Sequence, residues 1–266
     1  MARLTDFHNH LMPAVDDGAQ SIDEALAGLD AFIADGVQTV ITTPHVRGAL
    51  TTEPLMIEER LAELDRAWAQ VSARAKQAYP DLVFERGVEL ALDTPNPDVS
   101  DPRLRLAGGP FLLMEFPFMT VPPRSTDAVS AMRSKGVLPI IAHPERYHGF
   151  PSDLSLAAEW RRSGAYLQVN GGSLLGRYGQ RAKDVALALL ERGWADYLGS
   201  DYHARGRPGV QAYREVIREL GGHEQILLLT ESNPARVLTG EPPLPVAPLR
   251  LKQSFWDRVM QLFRSA

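Results

Sequence analysis

The chain has 266 residues, a hydrophobic content of 44% and a formal net charge of −5, so it can form one large domain or two small ones and shows no basic bias for a nucleic-acid ligand. It contains no cysteine, which excludes disulfides, iron–sulfur clusters and thiolate nucleophiles. The sequence shows neither a signal-peptide pattern nor the roughly 18 apolar residues of a membrane span, so we expect a cytoplasmic protein without an integral membrane segment.

Short apolar, β-branched runs alternate with amphipathic segments along the chain. We predict seven strands, in the segments LTDFHNH, VQTVITTPH, LVFERGVEL, FLLMEFP, VLPIIAHPE, AYLQVNG and ADYLGSDYH. Repeated strand–helix units with apolar strands indicate an α/β protein in which helices cover a parallel sheet. That sheet is either a barrel or an open, doubly wound sheet.

The first helix has clear boundary signals. Ser21 and Glu24 fit a capping box, and Gly36 follows the last apolar turn. The face predicted to be buried consists of Leu26, Leu29, Phe32 and Ile33. Later helical patterns are predicted to end in the same way, at Gly136, Gly164, Gly193 and Gly221.

Polar side chains with metal-binding or hydrogen-bonding groups stand at the C-terminal ends of all the predicted strands. They are His8, His10, His45, Glu89, Glu115, His143, Asn170, Asp201 and His203. An open sheet gathers its ligands at one switch point, whereas a barrel brings every strand end to a single mouth. The distribution therefore favours a closed barrel of seven strands.

These strand ends predict a metal site. Five of the seven histidines fall there, and imidazole with carboxylate ligands suits zinc, manganese or iron. With Asp17 included, the candidates exceed the three or four ligands that one catalytic ion takes from protein, so we expect two or three divalent ions. His8 and His10 can share one ion because residues i and i+2 of a strand point the same way. Asp16 competes with Asp17 for the aspartate position.

Clustered ions suit the hydrolysis of phosphate esters. Arg146 in HPER and Arg207 in DYHARGR follow the ligand strands closely, and arginine binds phosphate through paired hydrogen bonds. Each arginine could instead form a surface ion pair. Tyr147, Tyr202 and Phe118 are expected near the mouth, where they either stack on a phenyl ring or pack in the core.

The alternating pattern stops after about Gly240. The segment GEPPLPVAPL predicts a stiff, extended connector, and LKQSFWDRVMQLFRSA predicts an amphipathic helix. That helix would pack on the chain's own body or on a twin subunit, and membrane-surface anchoring is the less favoured alternative. We therefore divide the chain into a catalytic barrel, residues 1–239, and a connector with a C-terminal helix, residues 240–266.

The motifs DFHNHLMPAVDDGAQS, TTPH, GVEL, LMEFP, IAHPERY, SDYH and NPARVL together resemble the PHP (polymerase and histidinol phosphatase) superfamily. Within it they resemble the bacterial tyrosine-protein phosphatases of capsular and exopolysaccharide biosynthesis, from about Leu4 to Arg236. The resemblance implies a distorted seven-stranded (β/α)7 TIM-like barrel with a site for up to three ions. Manganese is the expected metal, with iron and zinc as alternatives.

The resemblance also implies ligand sets. One ion would be held by His8, His10, Glu89 and Asp201. Glu89 would bridge to a second ion, which is also held by Glu115 and His143. A third would be held by Asp17, His45 and His203. Arg146 and Arg207 would bind phosphate, although the spacing from His203 to Arg207 is one residue shorter than in the family pattern. Asp201 and His203 would take part in catalysis together with the two arginines.

The implied activity is that of a metal-dependent phosphoric monoester hydrolase acting on phosphotyrosine. The implied substrate is the tail of a membrane-associated bacterial tyrosine autokinase that regulates polysaccharide export. A small-molecule phosphatase such as histidinol phosphatase is the alternative. An amidohydrolase is disfavoured because no lysine stands at a strand end, and a non-catalytic scaffold is disfavoured because every ligand position is filled. A homo-oligomer is compatible with the sequence.

Overall fold

The computed structural model describes residues 3–250, which form nine strands and nine α-helices. The strands are β1 (Thr5–Asp6), β2 (Thr39–Thr42), β3 (His45–Arg47), β4 (Val83–Arg86), β5 (Glu89–Ala91), β6 (Phe111–Glu115), β7 (Leu138–Ala142), β8 (Tyr166–Asn170) and β9 (Tyr197–Gly199). The helices are α1 (Ile22–Ala34), α2 (Pro54–Ala78), α3 (Ser125–Ser134), α4 (Ser155–Arg162), α5 (Gly171–Leu174), α6 (Gln180–Glu191), α7 (Val210–Glu219), α8 (His223–Leu227) and α9 (Asn233–Thr239).

The strands form two parallel sheets, in the orders β1-β2-β4 and β3-β5-β6-β7-β8-β9. All seven predicted strand segments are present, and the predicted parallel α/β architecture is confirmed. The second and third segments are each broken in two, at Thr43–Pro44 and at Gly87–Val88. Proline has no N–H for the ladder and glycine weakens a strand, so both breaks have a local cause. The breaks place β2 and β4 in one sheet and their continuations, β3 and β5, in the other.

The chain that follows β1 runs beside the chain that follows β9. Asn9 and Tyr202 form a parallel bridge, and the backbone N–H of Asp201 donates to the carbonyl of His8 at 2.8 Å. The buried carboxylate of Asp6 reinforces this junction, because it accepts the backbone N–H of Ser200 at 2.8 Å. The first and last strands therefore end side by side, although the whole chain separates them.

Both faces of the central strands are buried, and alternate residues contribute to different apolar clusters. In β6, Phe111 and Leu113 belong to a small cluster between the strands, whereas Leu112 and Met114 belong to the large cluster under the helices. Period-two alternation in a strand produces this division. The strands consequently read as continuous apolar runs, as expected for parallel strands that are covered on both sides.

Helix α1 begins as predicted, and two residues of its predicted buried face differ: Leu26 is only partly buried and Ile33 is exposed. The Ser21 hydroxyl accepts the backbone N–H of Glu24 at 3.1 Å, and Gly36 has a φ of 81° after the helix ends. Leu29 and Phe32 are fully buried, but the prediction for Ile33 was wrong, since it is 39% exposed. Gly28 takes part in the buried face instead, because its missing side chain leaves room for Leu11.

The proline-rich segment after residue 239 has neither helix nor strand up to residue 250, and it packs against the body of the protein. Val246 and Leu249 are buried, and the N–H of Leu249 donates to the carbonyl of Leu190 at 2.9 Å. The predicted C-terminal amphipathic helix lies outside the described residues. Among residues 3–250, no helix combines the length and the apolar character needed to cross a membrane.

Candidate metal centre

All nine predicted ligands lie together at the C-terminal ends of the strands. Three overlapping groups of their nitrogen and oxygen atoms are compact enough to surround a metal ion. The groups are His8, His10, Glu89 and Asp201; His45, Glu89 and Glu115; and His10, Asp17, His45 and His203. Glu89 is shared by two of the groups, which gives it the position of a bridging carboxylate.

The first group is completely enclosed. Nε2 of His8 lies 3.2 Å from both Glu89 Oε2 and Asp201 Oδ1, and Nε2 of His10 lies 3.4 Å from the same two oxygens. All four residues are buried. Two imidazole nitrogens and two carboxylate oxygens therefore face one small space, which is a ligand set that suits a divalent transition metal.

The second group shares Oε2 of Glu89 with the first. Nδ1 of His45 is 3.3 Å from Glu89 Oε2 and also 3.3 Å from Glu115 Oε1. His143, which the resemblance places here, has its Nε2 3.2 Å from Glu89 Oε1 and 3.9 Å from Glu115 Oε2. Glu89 thus contacts histidines on both sides, through both of its carboxylate oxygens.

The third group is nearest to solvent. The carboxylate of Asp17, 64% exposed, has its Oδ1 3.3 Å from His203 Nε2 and 3.6 Å from His45 Nε2. His45 therefore faces the second group with Nδ1 and the third with Nε2. A neutral imidazole has a lone pair on only one nitrogen, so His45 can serve one of these two groups at a time.

Three histidines are oriented by hydrogen bonds of Nδ1, the ring nitrogen that does not face the cluster. Nδ1 of His8 lies 2.7 Å from Gln168 Oε1, Nδ1 of His10 lies 2.8 Å from Asp16 Oδ2, and Nδ1 of His203 lies 2.9 Å from the carbonyl of Asp201. Each partner accepts a hydrogen bond from Nδ1–H, which leaves the lone pair on Nε2. In all three residues Nε2 faces the cluster, and metal-binding histidines are commonly oriented in this way.

The two aspartates of the first loop have different surroundings. Asp16 is nearly buried and accepts hydrogen bonds from His10, from the N–H of Gly18 at 3.0 Å and from the N–H of His45 at 3.1 Å. These bonds outweigh burial and lower the pKa of Asp16 to about 2. Gly18 is required here, since a Cβ would lie 2.0 Å from the carbonyl oxygen of His10. Asp16 thus supports His10, while Asp17 faces His45 and His203.

Buried polar atoms without hydrogen-bond partners indicate metal binding by the cluster, independently of the resemblance to a known family. Nε2 of His8, Nε2 of His10, Nδ1 of His45 and Oε2 of Glu89 are buried polar atoms without a hydrogen-bond partner. Such atoms carry a desolvation cost and are rare in folded proteins. All four converge on the same space, so divalent ions would satisfy them together.

The charges in the cluster depend strongly on one another. Burial opposes ionisation, but the contacts with His8 and His10 outweigh it and hold the pKa of Glu89 and of Asp201 well below the ordinary range. Burial likewise lowers the pKa of His8, yet Glu89 and Asp201 outweigh it and raise that pKa well above its usual value. The carboxylates therefore remain ionised and attract cations into a low-dielectric site.

The two predicted phosphate-binding arginines differ in position. The guanidinium group of Arg146 forms an ion pair with Oδ2 of Asp201 and lies 4.2 Å from the ring centroid of Tyr178. Arg207 is exposed, and among residues 3–250 it forms no ion pair with the cluster. Arg205, two residues earlier, donates to the carbonyl of Asp17 at 3.2 Å. Arg146 stands at the edge of the cluster, whereas Arg205 and Arg60 contact the backbone of its first loop.

The aromatic residues expected at the mouth are distributed differently. Tyr147 is fully buried, and its hydroxyl donates to the carbonyl of Ala142 at 2.9 Å, so it packs in the core and cannot stack on a substrate. Tyr202 is also buried, whereas Phe118 is 95% exposed. Tyr178, which no sequence motif singles out, stacks on Arg146 and is 41% exposed.

Gln168 is a further residue that sequence reasoning missed. It lies on β8 two positions before Asn170, whose side-chain amide donates to Oδ2 of Asp201 at 3.3 Å. Because residues i and i+2 share a face of a strand, the position of Asn170 was a signal for Gln168. The signal was weak, because an amide side chain two residues before the end of a strand does not by itself indicate that it contacts a metal ligand.

The chain combines a parallel α/β fold with a cluster of histidines and carboxylates at the strand ends that is able to bind metal. These two features place it in the class of metal-binding α/β proteins. Comparison with known proteins narrows the class. Residues 4–239 match the family model described as capsular polysaccharide synthesis, CpsB/CapC. The chain therefore belongs to the CpsB/CapC family, which confirms the resemblance seen in its sequence motifs.

Relatives in this family are named as tyrosine phosphatases. The tyrosine-protein phosphatase YwqE of Bacillus subtilis is 29% identical over 253 residues, which cover 91% of this chain and 96% of YwqE. The tyrosine-protein phosphatase CpsB of Streptococcus pneumoniae is 28% identical over 251 residues, with coverages of 88% and 98%. This chain thus matches both relatives over nearly their whole length.

Solved structures agree with the family assignment. One solved structure comes from a study of YwqE of Bacillus subtilis and CpsB of Streptococcus pneumoniae, which are described there as unique metal-dependent tyrosine phosphatases. It superposes on this chain with a TM-score of 0.71 at 28% identity, and the match covers 91% of this chain and 99% of that one. A phosphotriesterase homology protein from Escherichia coli, complexed with phosphate in its active site, has a TM-score of 0.54 at 12% identity and covers 88% of this chain and 98% of its own. The second likeness concerns the fold alone.

Proposed function

We propose that this chain is a metal-dependent protein-tyrosine phosphatase. The observation that carries the proposal is the convergence of eight histidine and carboxylate side chains in three overlapping groups, with His143 in contact with two of them and the Arg146 guanidinium at their edge. Family membership and the names of the relatives point to the same activity. The absence of cysteine requires a mechanism other than the cysteine nucleophile of common tyrosine phosphatases.

We assign the ligands to two or three divalent ions, with manganese expected and iron or zinc as alternatives. The assignments follow the family pattern: His8, His10, Glu89 and Asp201 for one ion; Glu89, Glu115 and His143 for a second; and Asp17, His45 and His203 for a third. The compact second group differs from this pattern in having His45 in place of His143. Bound ions of this kind lower the pKa of a water molecule and neutralise the charge of a phosphate group. His45 contacts the second and third groups with different nitrogens. The nitrogen that carries its lone pair therefore decides whether two or three ions are held.

The other residues bind and orient the substrate. Arg146 presents its guanidinium to the oxygen atoms of the phosphate, for which its planar fork is well suited. Asp201 links the ligands to this arginine, since Oδ1 faces His8 and Oδ2 pairs with Arg146. Asp201 and His203 are also proposed to position the attacking water. A phenolate, with a parent pKa of about 10, leaves without strong help from a general acid.

The second phosphate-binding position is proposed for Arg207, on the family pattern. Its side chain is exposed and therefore free of packing that would prevent it from binding a substrate. Arg205 is the competing residue, because its guanidinium already contacts the carbonyl of Asp17. Alanine substitutions at the two positions separate these possibilities through the inhibition constant of inorganic phosphate.

The strands are proposed to form a closed seven-stranded barrel. Each broken strand would count once, β2 with β3 and β4 with β5. The bridge between Asn9 and Tyr202 would close the ring between β1 and β9. Support for continuity at the breaks comes from the N–H of Gly87, which donates to Thr42 at 2.9 Å, and from that of Thr43, which donates to Asn9 at 2.8 Å. Such closure brings all strand ends to one mouth.

The physiological substrate is proposed to be a membrane-associated bacterial tyrosine kinase that acts in capsule or exopolysaccharide synthesis. The support is the family description, which concerns capsular polysaccharide synthesis. Action in the cytoplasm and assembly into a homo-oligomer are part of the same proposal.

Steady-state kinetics test the proposed activity. The kcat/KM of the purified protein is compared on a phosphotyrosine peptide, a phosphoserine peptide and histidinol phosphate, before chelation, after chelation and after manganese is restored. We expect the phosphotyrosine peptide to be the best substrate and its hydrolysis to require the metal. Equal or faster hydrolysis of histidinol phosphate would favour a metabolite phosphatase, and full activity after thorough chelation would overturn the metal mechanism.

A further inference from the structure

An apolar groove is lined by residues that follow β5 and β6, the strands of Glu89 and Glu115, and the proposed activity does not explain it. Its volume is about 510 Å³. Its apolar wall consists of Leu92, Pro95, Pro117, Phe118, Pro122 and Ala128. We call this feature the Phe118 groove. A pocket of this size is large enough for the side chains of a short peptide or for a small molecule.

The groove is continuous with the ends of the two strands that carry the central carboxylates. Leu92 follows β5, and its N–H donates to the carbonyl of Glu115 at 2.8 Å. Pro117 and Phe118 follow Glu115 after two and three residues. Glu89 begins β5 and Glu115 ends β6, so the chain leads directly from the metal cluster into the groove.

The exposure of Phe118 is imposed by the backbone. Phe118 and Met119 have φ values of 54° and 51°, in the left-handed region that residues with a Cβ rarely adopt. The turn is fixed on both sides, because the N–H of Thr120 donates to Pro117 at 3.1 Å and the N–H of His148 donates to Met119 at 2.7 Å. The result is a phenylalanine with 95% of its surface exposed at the rim of the groove. Strained backbone that displays a side chain is a feature of binding sites.

The charges around the groove are paired with one another. Nε of Arg124 donates to Asp127 at 2.6 Å, and Nε of Arg47 donates to Asp93 at 3.0 Å. These pairs give the rim little net charge to offer a charged partner. The surface that remains is the apolar wall with the Phe118 ring, which fits an apolar or aromatic side chain.

We propose that the Phe118 groove binds the polypeptide that flanks the phosphotyrosine of the substrate, and that it selects an apolar or aromatic side chain within a few residues of that tyrosine. This inference rests on the proposed phosphatase function and deepens it. A phosphotyrosine in the metal centre is attached to a peptide that must pass over the surface next to the strand ends. The groove begins at this point, and its chemistry defines which flanking residues bind.

The test compares three substrates that share the phosphoaryl group: p-nitrophenyl phosphate, a phosphotyrosine peptide with leucine and phenylalanine flanks, and the same peptide with glycine flanks. We expect the wild-type protein to prefer the apolar peptide over the glycine peptide in kcat/KM. Phe118→Ala should reduce this preference about tenfold, the loss typical of one packed aromatic contact, and leave p-nitrophenyl phosphate unchanged. Because Phe118 is exposed, its removal does not disturb the core.

Two further variants sharpen the comparison. Asn96→Trp places a bulky side chain in the groove from another lining residue and should also abolish the preference without changing p-nitrophenyl phosphate hydrolysis. Leu227→Ala removes an apolar side chain that is 50% exposed at the end of α8, outside the groove lining, and should leave all three substrates unchanged.

The outcomes separate this inference from the proposed function. If the wild-type protein hydrolyses none of the three substrates, the phosphatase function fails and the groove proposal fails with it. If all three are hydrolysed but the two peptides are equivalent, or Phe118→Ala keeps the preference, only the groove proposal is overturned. A concentration-dependent dimer that Phe118→Ala dissociates, with no change in peptide preference, would show instead that a second copy of the chain occupies the groove.

Discussion

The aromatic ring of Tyr178 lies against the guanidinium group of Arg146 and restricts where that group can point. The distance from the Arg146 Cζ to the ring centroid is 4.2 Å, and Asp201 holds the other side of the guanidinium. A cation over an aromatic face gains roughly 0.5 to 2 kcal/mol, depending on its exposure to water. Arg146 is therefore positioned before a phosphate arrives, which reduces the entropy that binding must offset.

Replacing Tyr178 tests whether it positions Arg146. Tyr178→Ala should raise both the KM for p-nitrophenyl phosphate and the inhibition constant of inorganic phosphate by roughly 3- to 10-fold, since the cation–π contact is lost. Tyr178→Phe keeps the ring and should behave like the wild-type protein. The measurement is steady-state kinetics with phosphate as a competitive inhibitor. An unchanged inhibition constant in Tyr178→Ala would show that the ring has no part in phosphate binding.

The neighbouring aspartates of the first loop should respond differently to the same substitution. Asp17→Asn removes a proposed ligand and should lower the bound metal by one ion per chain. Asp16→Asn keeps an acceptor for His10 Nδ1–H but removes its charge, so the stoichiometry should hold while the affinity falls roughly 10- to 100-fold. Metal content after dialysis and metal titration measure the two quantities. The opposite pattern would exchange the roles of Asp16 and Asp17.

The sequence allowed the ligands to be predicted more readily than the residues that orient them. His8 and His10 were recognised because a two-residue spacing in a strand and a position at a strand end are both visible locally. The partner of His8, Gln168, lies 160 residues further along the chain, and only the folded structure brings the two together. Tyr178 was missed for the same reason, since the loop before α6 shows no motif that connects it to Arg146.

At the scale of elements, a buried ion pair ties α4 to β8 and β9. Asp196 lies just before β9, where its Oδ2 accepts the N–H of Leu167 at 2.9 Å and an N–H of Arg161 at 2.5 Å. Burial nevertheless raises the pKa of Asp196 to about 6, because the partly exposed Arg161 offsets only part of the desolvation. Helix α4 is thus held against the sheet by the carboxylate of Asp196, which binds a proton more tightly in the folded protein than in the unfolded chain.

This carboxylate should make stability depend on pH in a defined direction. A group whose pKa is raised by folding binds protons more tightly in the folded protein, so its contribution to stability declines as pH rises from about 4 to about 6. The decline amounts to about 3 kcal/mol for a shift of about two pKa units. Urea unfolding of the chelated protein should show this difference between wild type and Asp196→Asn. Parallel curves for the two proteins would contradict the prediction.

The order of helices and strands was predictable because apolar periodicity and helix caps are local signals, as Ser21 and Glu24 illustrate. The division into two sheets was not predicted, since the breaks at Thr43–Pro44 and Gly87–Val88 are each only two residues long inside otherwise continuous strand patterns. Ile33 was assigned to the wrong face because a residue at the edge of a helical stripe is buried only if a neighbour covers it. Such contacts depend on how the helix is rotated against the sheet.

At the scale of the whole molecule, the metal cluster joins the two ends of the fold and links them to the central strands. Its ligands come from the segments after β1, β7 and β9 and from β3, β5 and β6. Without metal, the carboxylates of Glu89 and Asp201 face the imidazoles of His8 and His10 and offset part of the cost of burial. The protein should therefore remain folded after chelation, with lower stability.

Removal of metal should lower the melting temperature, because ions that bind only the folded state stabilise it by mass action. At a free metal concentration about 1,000 times the dissociation constant, this stabilisation is about 4 kcal/mol, which corresponds to roughly 10 °C for a protein of this size. Differential scanning calorimetry with chelator and with restored manganese measures the shift. Glu89→Gln should abolish the manganese-dependent part, because the residue shared by two ligand groups is lost, whereas His223→Gln, outside the cluster, should preserve it. A melting temperature that neither chelation nor manganese changes would mean that these nine side chains do not hold the strand ends together through metal.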